Sequence, residues 1–167
     1  GIRQGGEDEV EVRLMDVDTR ADLSDRLPRG LYRSFSFTED ASAFFYGRRD
    51  RATGVRIYHH VIGTDPAEDA EVFGEGYGPD KWVFASVSDS GRYLLFYVGH
   101  GWARSELYLK DLLEDGPITP IVNDIDASFN PDFAGGRLIV ETDWEAPKGR
   151  ILSIDPKNPE RAHWREI

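Results

Sequence analysis

A spacing limits the fold of this chain more than any single motif does. Four stretches share a strand that runs into an acidic or glycine turn: "RLMDVD" (13–18), "RIYHHVIGTD" (56–65), "ELYLKDLLED" (106–115) and "RILSIDPKNPE" (150–160). Anchored on Asp16, Gly63, Asp111 and Asp155, they recur at steps of 47, 48 and 44 residues. A second set interleaves with the first: "SFSFTEDASAFFY" (34–46), "SVSDSGRYLLF" (86–96) and "SFNPDFAGGRLIV" (128–140). Each is a strand, a polar turn containing Asp, and a more apolar strand. Asp and Gly suit such turns because they tolerate turn and left-handed backbone conformations. A period of roughly 40 to 50 residues built from four short strands is that of β-propeller blades.

The segments between the anchors agree. "EVEVRLMDV" (9–17), "RSFSF" (33–37), "AFFYG" (43–47), "VRIYHHVI" (55–62), "WVFASVS" (82–88), "RYLLFYV" (92–98), "ELYLKDL" (106–112), "RLIVET" (137–142) and "RILSID" (150–155) are short. They are rich in Val, Ile, Phe and Tyr, largely alternate in polarity, and end at Gly, Pro, Asp or Asn, which marks strands. Only "KDLLEDG" (110–116) offers a helical turn. The expected fold is all-β. Its expected layout is the two outer strands of one blade (9–27) and whole blades at 31–73, 82–122 and 127–167, the last closed by "HWREI". Three and a half blades cannot close a ring, which needs at least about four. The chain is therefore expected to be part of a longer protein, or to pair its open edges with a second copy.

Composition removes several classes of function. With 167 residues the chain suffices for one domain. It has no cysteine, which excludes disulfides, thiolate metal sites and a cysteine nucleophile within it. A net charge of −11 disfavours nucleic acid and anionic membrane. No run reaches the roughly 18 apolar residues of a membrane span, and residues 1–7 carry no apolar targeting segment. Zero cysteine suits any compartment; the cytoplasm is favoured, with periplasm and secretion left open.

The motifs that resemble sites lack the required context. "GEGYG" (74–78) is followed by a strand, "PDKWVFASV" (79–87), so it is not a dinucleotide loop opening a helix. No GK[ST] is present. The acids of "GTDPAEDAEVFGEG" (63–76) lack the D-x-D-x-D-G frame of a calcium loop, and "NDID" (123–126) ends in Ala127 and Ser128. The acids of 63–76 are expected to face solvent. His59 and His60 are adjacent on a strand and point to opposite faces, so they do not chelate one ion; His100 and His163 lack partners at metal spacing. These four are expected to be surface or satisfied core histidines. No serine sits in a G-x-S-x-G elbow. Neither metal nor cofactor is expected, and most of the 20 aromatic residues, Trp82, Trp102, Trp144 and Trp164 among them, are expected between blades.

Several stretches, in order, resemble the propeller of the prolyl oligopeptidase family. "GTDPAEDAEVF" followed by "DKWVFASVSDSGRYLLF" is similar to it, as is "TDWEAPKGRILSIDPKNPERAHW" (142–164), with "GVRIYHHVIGTD" (54–65) and "ELYLKDL" (106–112) fitting as well. The likeness covers nearly the whole chain from about residue 5 and departs at "VGHGWARS" (98–105) and "FAGGR" (133–137). The resemblance implies an α/β-hydrolase peptidase domain, bearing a Ser-Asp-His triad, capped by a seven-bladed propeller that admits only short peptides. The triad has no counterpart in these residues. The implied activity of the parent is serine-type cleavage of short peptides after proline, with this chain as the non-catalytic gate and the peptidase domain as its partner. By position, the resemblance implies substrate contacts near Tyr32, Val83, Val98 and Gly101. The competing expectation is a self-associating or partner-binding propeller module with no peptidase role.

Overall fold

The computed structural model describes residues 1–3, 5–6, 8–114 and 116–167, with Arg3 as backbone alone. Among the described residues the regular structure is fourteen strands and two single-turn 3₁₀ helices, with no α-helix. Two compact units, Gly1–Pro79 and Asp80–Ile167, divide the chain.

The first unit is one antiparallel sheet in chain order: β1 (Ile2–Arg3), β2 (Val10–Met15), β3 (Asp22–Phe37), β4 (Ala43–Asp50), β5 (Gly54–Val61) and β6 (Ala70–Phe73). Strand β3 is 16 residues long and serves two partners. Its first half pairs with β2, Val12 opposite Leu27, and its second with β4, Phe35 opposite Tyr46 and Phe37 opposite Phe44. Pro28 sits where the β2–β3 register shifts, between the pairs Val10–Gly30 and Val12–Leu27. A bulge is where a strand tolerates a residue without an N–H. Val12 and Leu27 join Phe44 and Tyr46 in one buried cluster, with Tyr32, Tyr58 and Ile62 packed against it.

The repeat anchors have a physical reason. The carboxylate of Asp16 accepts from the Thr19 N–H at 2.7 Å, that of Asp111 from Leu113 at 3.0 Å, and that of Asp155 from Lys157 at 3.0 Å. Each satisfies a turn amide just past a strand. The fourth anchor, Gly63, instead adopts φ +93°. Asp40 acts similarly in the β3–β4 turn, accepting from Ser42 N–H and the Thr38 and Ser42 hydroxyls. Those bonds, the Ser42 amide first, hold its carboxyl down at about 2.

The glycines of "GEGYG" are structural. Gly54 opens β5 at φ +92°, and a Cβ there would lie 2.6 Å from the Gly78 carbonyl oxygen. Gly74 follows β6 at φ +114°, and a Cβ would lie 2.5 Å from the Val55 oxygen. Gly54→Ala combines left-handed strain with a clash against backbone. It should destabilise the first unit by about 2 kcal/mol, read as a lower urea midpoint. Gly76→Ala, at φ +86° with nothing within 4 Å, should cost about half as much.

The second unit holds two four-stranded antiparallel sheets. One is β7 (Trp82–Val87), β8 (Tyr93–Gly99), β9 (Ser105–Asp111) and β10 (Thr119–Val122); the other is β11 (Phe129–Ala134), β12 (Arg137–Thr142), β13 (Arg150–Ile154) and β14 (Arg165–Glu166). Their core joins Leu95, Leu107, Leu109 and Val122 to Phe129, Leu138, Val140, Leu152 and Ile154. Trp144 and Trp164 pack against this core, as expected for aromatics between blades. Trp102 does not: it is 89% exposed. In "KDLLEDG", β9 continues to Asp111 and a turn covers 112–114; Asp115 lies outside the described residues.

Candidate functional site

The four residues that the resemblance singles out occupy three kinds of place. Tyr32 is half-buried in the first unit, its ring 5.9 Å from Phe35 and 5.8 Å from Tyr46, and its hydroxyl donates to the Pro28 carbonyl. It lines a cavity of about 460 Å³ together with Val10, Val12 and Phe35. Val83 and Val98 belong to the second unit and face each other across β7 and β8. Their exposures are 1% and 0%, so both are core residues of their sheet. Gly101 lies in the turn closed by the His100 N–H to Arg104 carbonyl bond, at φ +75°, with open space where a Cβ would point.

The same turn carries features that strand patterning alone did not assign. Trp102 meets Trp82 edge-on, with centroids 5.0 Å apart. Gly99 pairs with Trp82 and makes room for it, since a Cβ there would come within 3.2 Å of the indole. Glu106, nearly buried, accepts from Arg104 at 2.9 Å and from the Tyr108 hydroxyl at 2.8 Å, and lies 2.8 Å from His100 Nε2. That network holds the base of the turn to β9.

A buried polar cluster lies in the first unit. His60 is 0% exposed. Its Nε2 is 3.0 Å from Asp25 Oδ1 and its Nδ1 is 2.8 Å from Asp69 Oδ1. The Tyr46 hydroxyl donates to Asp69 Oδ2 at 2.8 Å, and the Gly63 N–H donates to Asp25. Burial by itself raises the Asp25 carboxyl, but the bonds from Gly63 and His60 outweigh it and hold the group below its ordinary value. Burial, then the bond to Asp69, raises the Tyr46 hydroxyl. Two carboxylate oxygens face the two ring nitrogens.

This cluster corrects one expectation. Asp65, Glu68, Glu71 and Glu75 of the 63–76 stretch are exposed, but the Asp69 side chain is 2% exposed. It turns inward because His60 and Tyr46 both require an acceptor there. His60 itself is a satisfied core histidine. His59 points to the other face and stacks on Phe45 at 4.8 Å. Both His60 nitrogens are spent on carboxylates, and among the described residues no group of three acidic or histidine side chains is arranged to hold a metal.

A third feature is a crevice of about 930 Å³ in the first unit. Its wall alternates charges: Arg29, Arg48, Arg49, Arg51 and Arg56 beside Glu9, Asp50, Glu71 and Glu75, with Tyr58 among them.

Antiparallel sheets of strands joined by Asp-capped turns, two of them sharing one apolar core in the second unit, define the class: this is a β-propeller fragment of about three and a half blades. The family model described as "Prolyl oligopeptidase, N-terminal beta-propeller domain" matches residues 1–167, and the chain belongs to that family. It is 28% identical to the prolyl endopeptidase of Elizabethkingia meningoseptica, covering 99% of this chain and 25% of that protein. It is 30% identical to a dual function macrocyclase-peptidase of Galerina marginata, covering 83% of this chain and 21% of that one. A solved prolyl endopeptidase superposes with a TM-score of 0.87 at 28% identity, covering 97% of this chain and 25% of that one. Apo prolyl oligopeptidase B from Galerina marginata gives a TM-score of 0.76 at 22% identity, over 98% of this chain and 26% of that one, a likeness of fold. The chain thus spans about a quarter of the length of these relatives.

Proposed function

We propose that this chain is the substrate-gating portion of the propeller of a prolyl oligopeptidase-like serine endopeptidase, one that cleaves short peptides after proline. The family match over residues 1–167 carries the reading. In it, residues 9–27 form the outer strands of one blade, and 31–73, 82–122 and 127–167 form three more. The partner is an α/β-hydrolase peptidase domain of the same parent protein, which supplies the nucleophile, base and acid. A cap of this kind excludes water and selects by size without transferring protons.

Tyr32 and Gly101 are the positions open to a short proline-containing peptide. Val83 and Val98 act indirectly: paired across β7 and β8, they fix the strand that leads into the turn at Gly101. Tyr32 presents an aromatic face of the kind that packs against apolar side chains.

Purified residues 1–167 should release no chromophore from a proline-containing chromogenic peptide. Turnover that a serine-directed reagent abolishes would overturn the reading. The parent reading frame supplies a second check: it should continue into a G-x-S-x-G elbow followed by the acid and the histidine.

A further inference from the structure

The arginine crevice of the first unit contains an unbalanced pair. Strands β4 and β5 set Arg48 opposite Arg56. Like charges directly opposed on one face of a sheet repel. Arg56 is neutralised, its Nε 3.2 Å from Glu71 Oε1, and it also donates to the Tyr77 carbonyl at 3.1 Å. Arg48 forms no such ion pair among the described residues. Four acids line the crevice: Glu71 serves Arg56, Glu75 is exposed, and Asp50 and Glu9 have partners of their own. Asp50 accepts from the Ala52 and Thr53 amides, each at 2.8 Å. Glu9 lies 3.9 Å from Arg29 and 3.6 Å from Arg51. In a chain of net charge −11, this wall sets five arginines against four carboxylates, a local excess of one guanidinium.

An oxyanion placed at Arg48 relieves the repulsion. The guanidinium fork matches a planar carboxylate with two parallel N–H···O bonds. Tyr58 stands on the same wall with a hydroxyl able to donate a third. The acidic remainder of the chain repels polyanions, which favours a ligand with a single carboxylate on a neutral body. We infer that the crevice beside Arg48 binds the carboxylate of a peptide. The inference is independent of any peptidase role, because it is read by binding and not by turnover.

The test titrates ¹⁵N-labelled residues 1–167 and follows the amides of 48–58. Four probes are used: acetyl-trialanine as free acid, the same peptide as its amide, acetyl-Ala-Glu-Ala amide, and inorganic phosphate. Saturable shifts with the free acid point to a chain-terminal carboxylate; saturable shifts with the glutamate peptide point to a side-chain one; either supports the site. Arg48→Gln should weaken that binding by about tenfold, the loss of a charge-assisted bond. Arg165→Gln, the same charge change in the other unit, should leave it unaltered. Three outcomes would each overturn the inference. They are no saturation by about 50 mM, equal binding of the neutral amide or of phosphate, and an Arg48→Gln affinity matching the unsubstituted chain.

Discussion

Asp25→Ala should lower the stability of the first unit by about 3–5 kcal/mol, the cost of removing one partner from a buried charged network. The Asp25 side chain is 3% exposed and faces His60, itself fully buried. Its removal strands the fully buried His60 Nε2 and takes the acceptor from the Gly63 N–H. The lost contacts join β3 to the end of β5 and to the turn beyond it, positions 35 and 38 residues apart in sequence. Asp25→Asn keeps the shape and one acceptor and should cost less.

The effect has a definite pH dependence. The Asp25 carboxyl is held below its ordinary value in the folded chain. Its contribution is therefore complete above the unfolded value of about 4 and is lost as pH falls through the lower folded value. The unsubstituted chain should lose stability below about pH 4 more steeply than Asp25→Ala does. Urea denaturation followed by circular dichroism across that range measures the difference, and hydrogen exchange at the Gly63 amide localises it. A loss under about 1 kcal/mol at neutral pH would mean that the site is hydrated and not the closed network described.

What the sequence revealed, and what it withheld, follows from the range of each interaction. The turns were legible because their chemistry is local: Asp16, Asp111 and Asp155 each reach an amide two or three residues on. The strands were legible because polarity alternates with the pleat. The continuity of β3 was hidden by Pro28 and Gly30, which read as a break, since the bulge that accommodates the proline depends on β2. The inward turn of Asp69 was hidden because its neighbours Asp65, Glu68 and Glu71 look the same locally. A signal did exist. Asp25 falls in phase with Leu23 and Leu27, and His60 with Tyr58 and Ile62. Two ionisable groups in core phase require each other, because a buried polar group needs a partner. The fate of the tryptophans was not legible: Trp164 seats on a core while Trp102 is exposed, a distinction made by sheet packing and not by spacing.

Phe129→Ala should cost the second unit about 3–5 kcal/mol. Phe129 opens β11 and is 0% exposed. Its ring lies 6.4 Å from Trp144 and 6.2 Å from Trp164, which themselves meet edge-on at 5.7 Å. Its backbone is held from the other sheet: the N–H donates to Ser105 Oγ at 2.7 Å, and that hydroxyl donates to the Phe129 carbonyl at 3.0 Å. One serine thus bonds both backbone groups of Phe129 where the first residue of β9 meets the first residue of β11. Ser105→Ala leaves the two groups unpaired and should cost about 1–3 kcal/mol. All four tryptophans lie within 82–164, so indole fluorescence in urea reports on this unit. The ring and the hydroxyl fix the same residue from two sides, so the double variant should lose less than the sum of the single losses, by about 0.5 kcal/mol or more. Strict additivity would show that the ring fills its site without help from the serine.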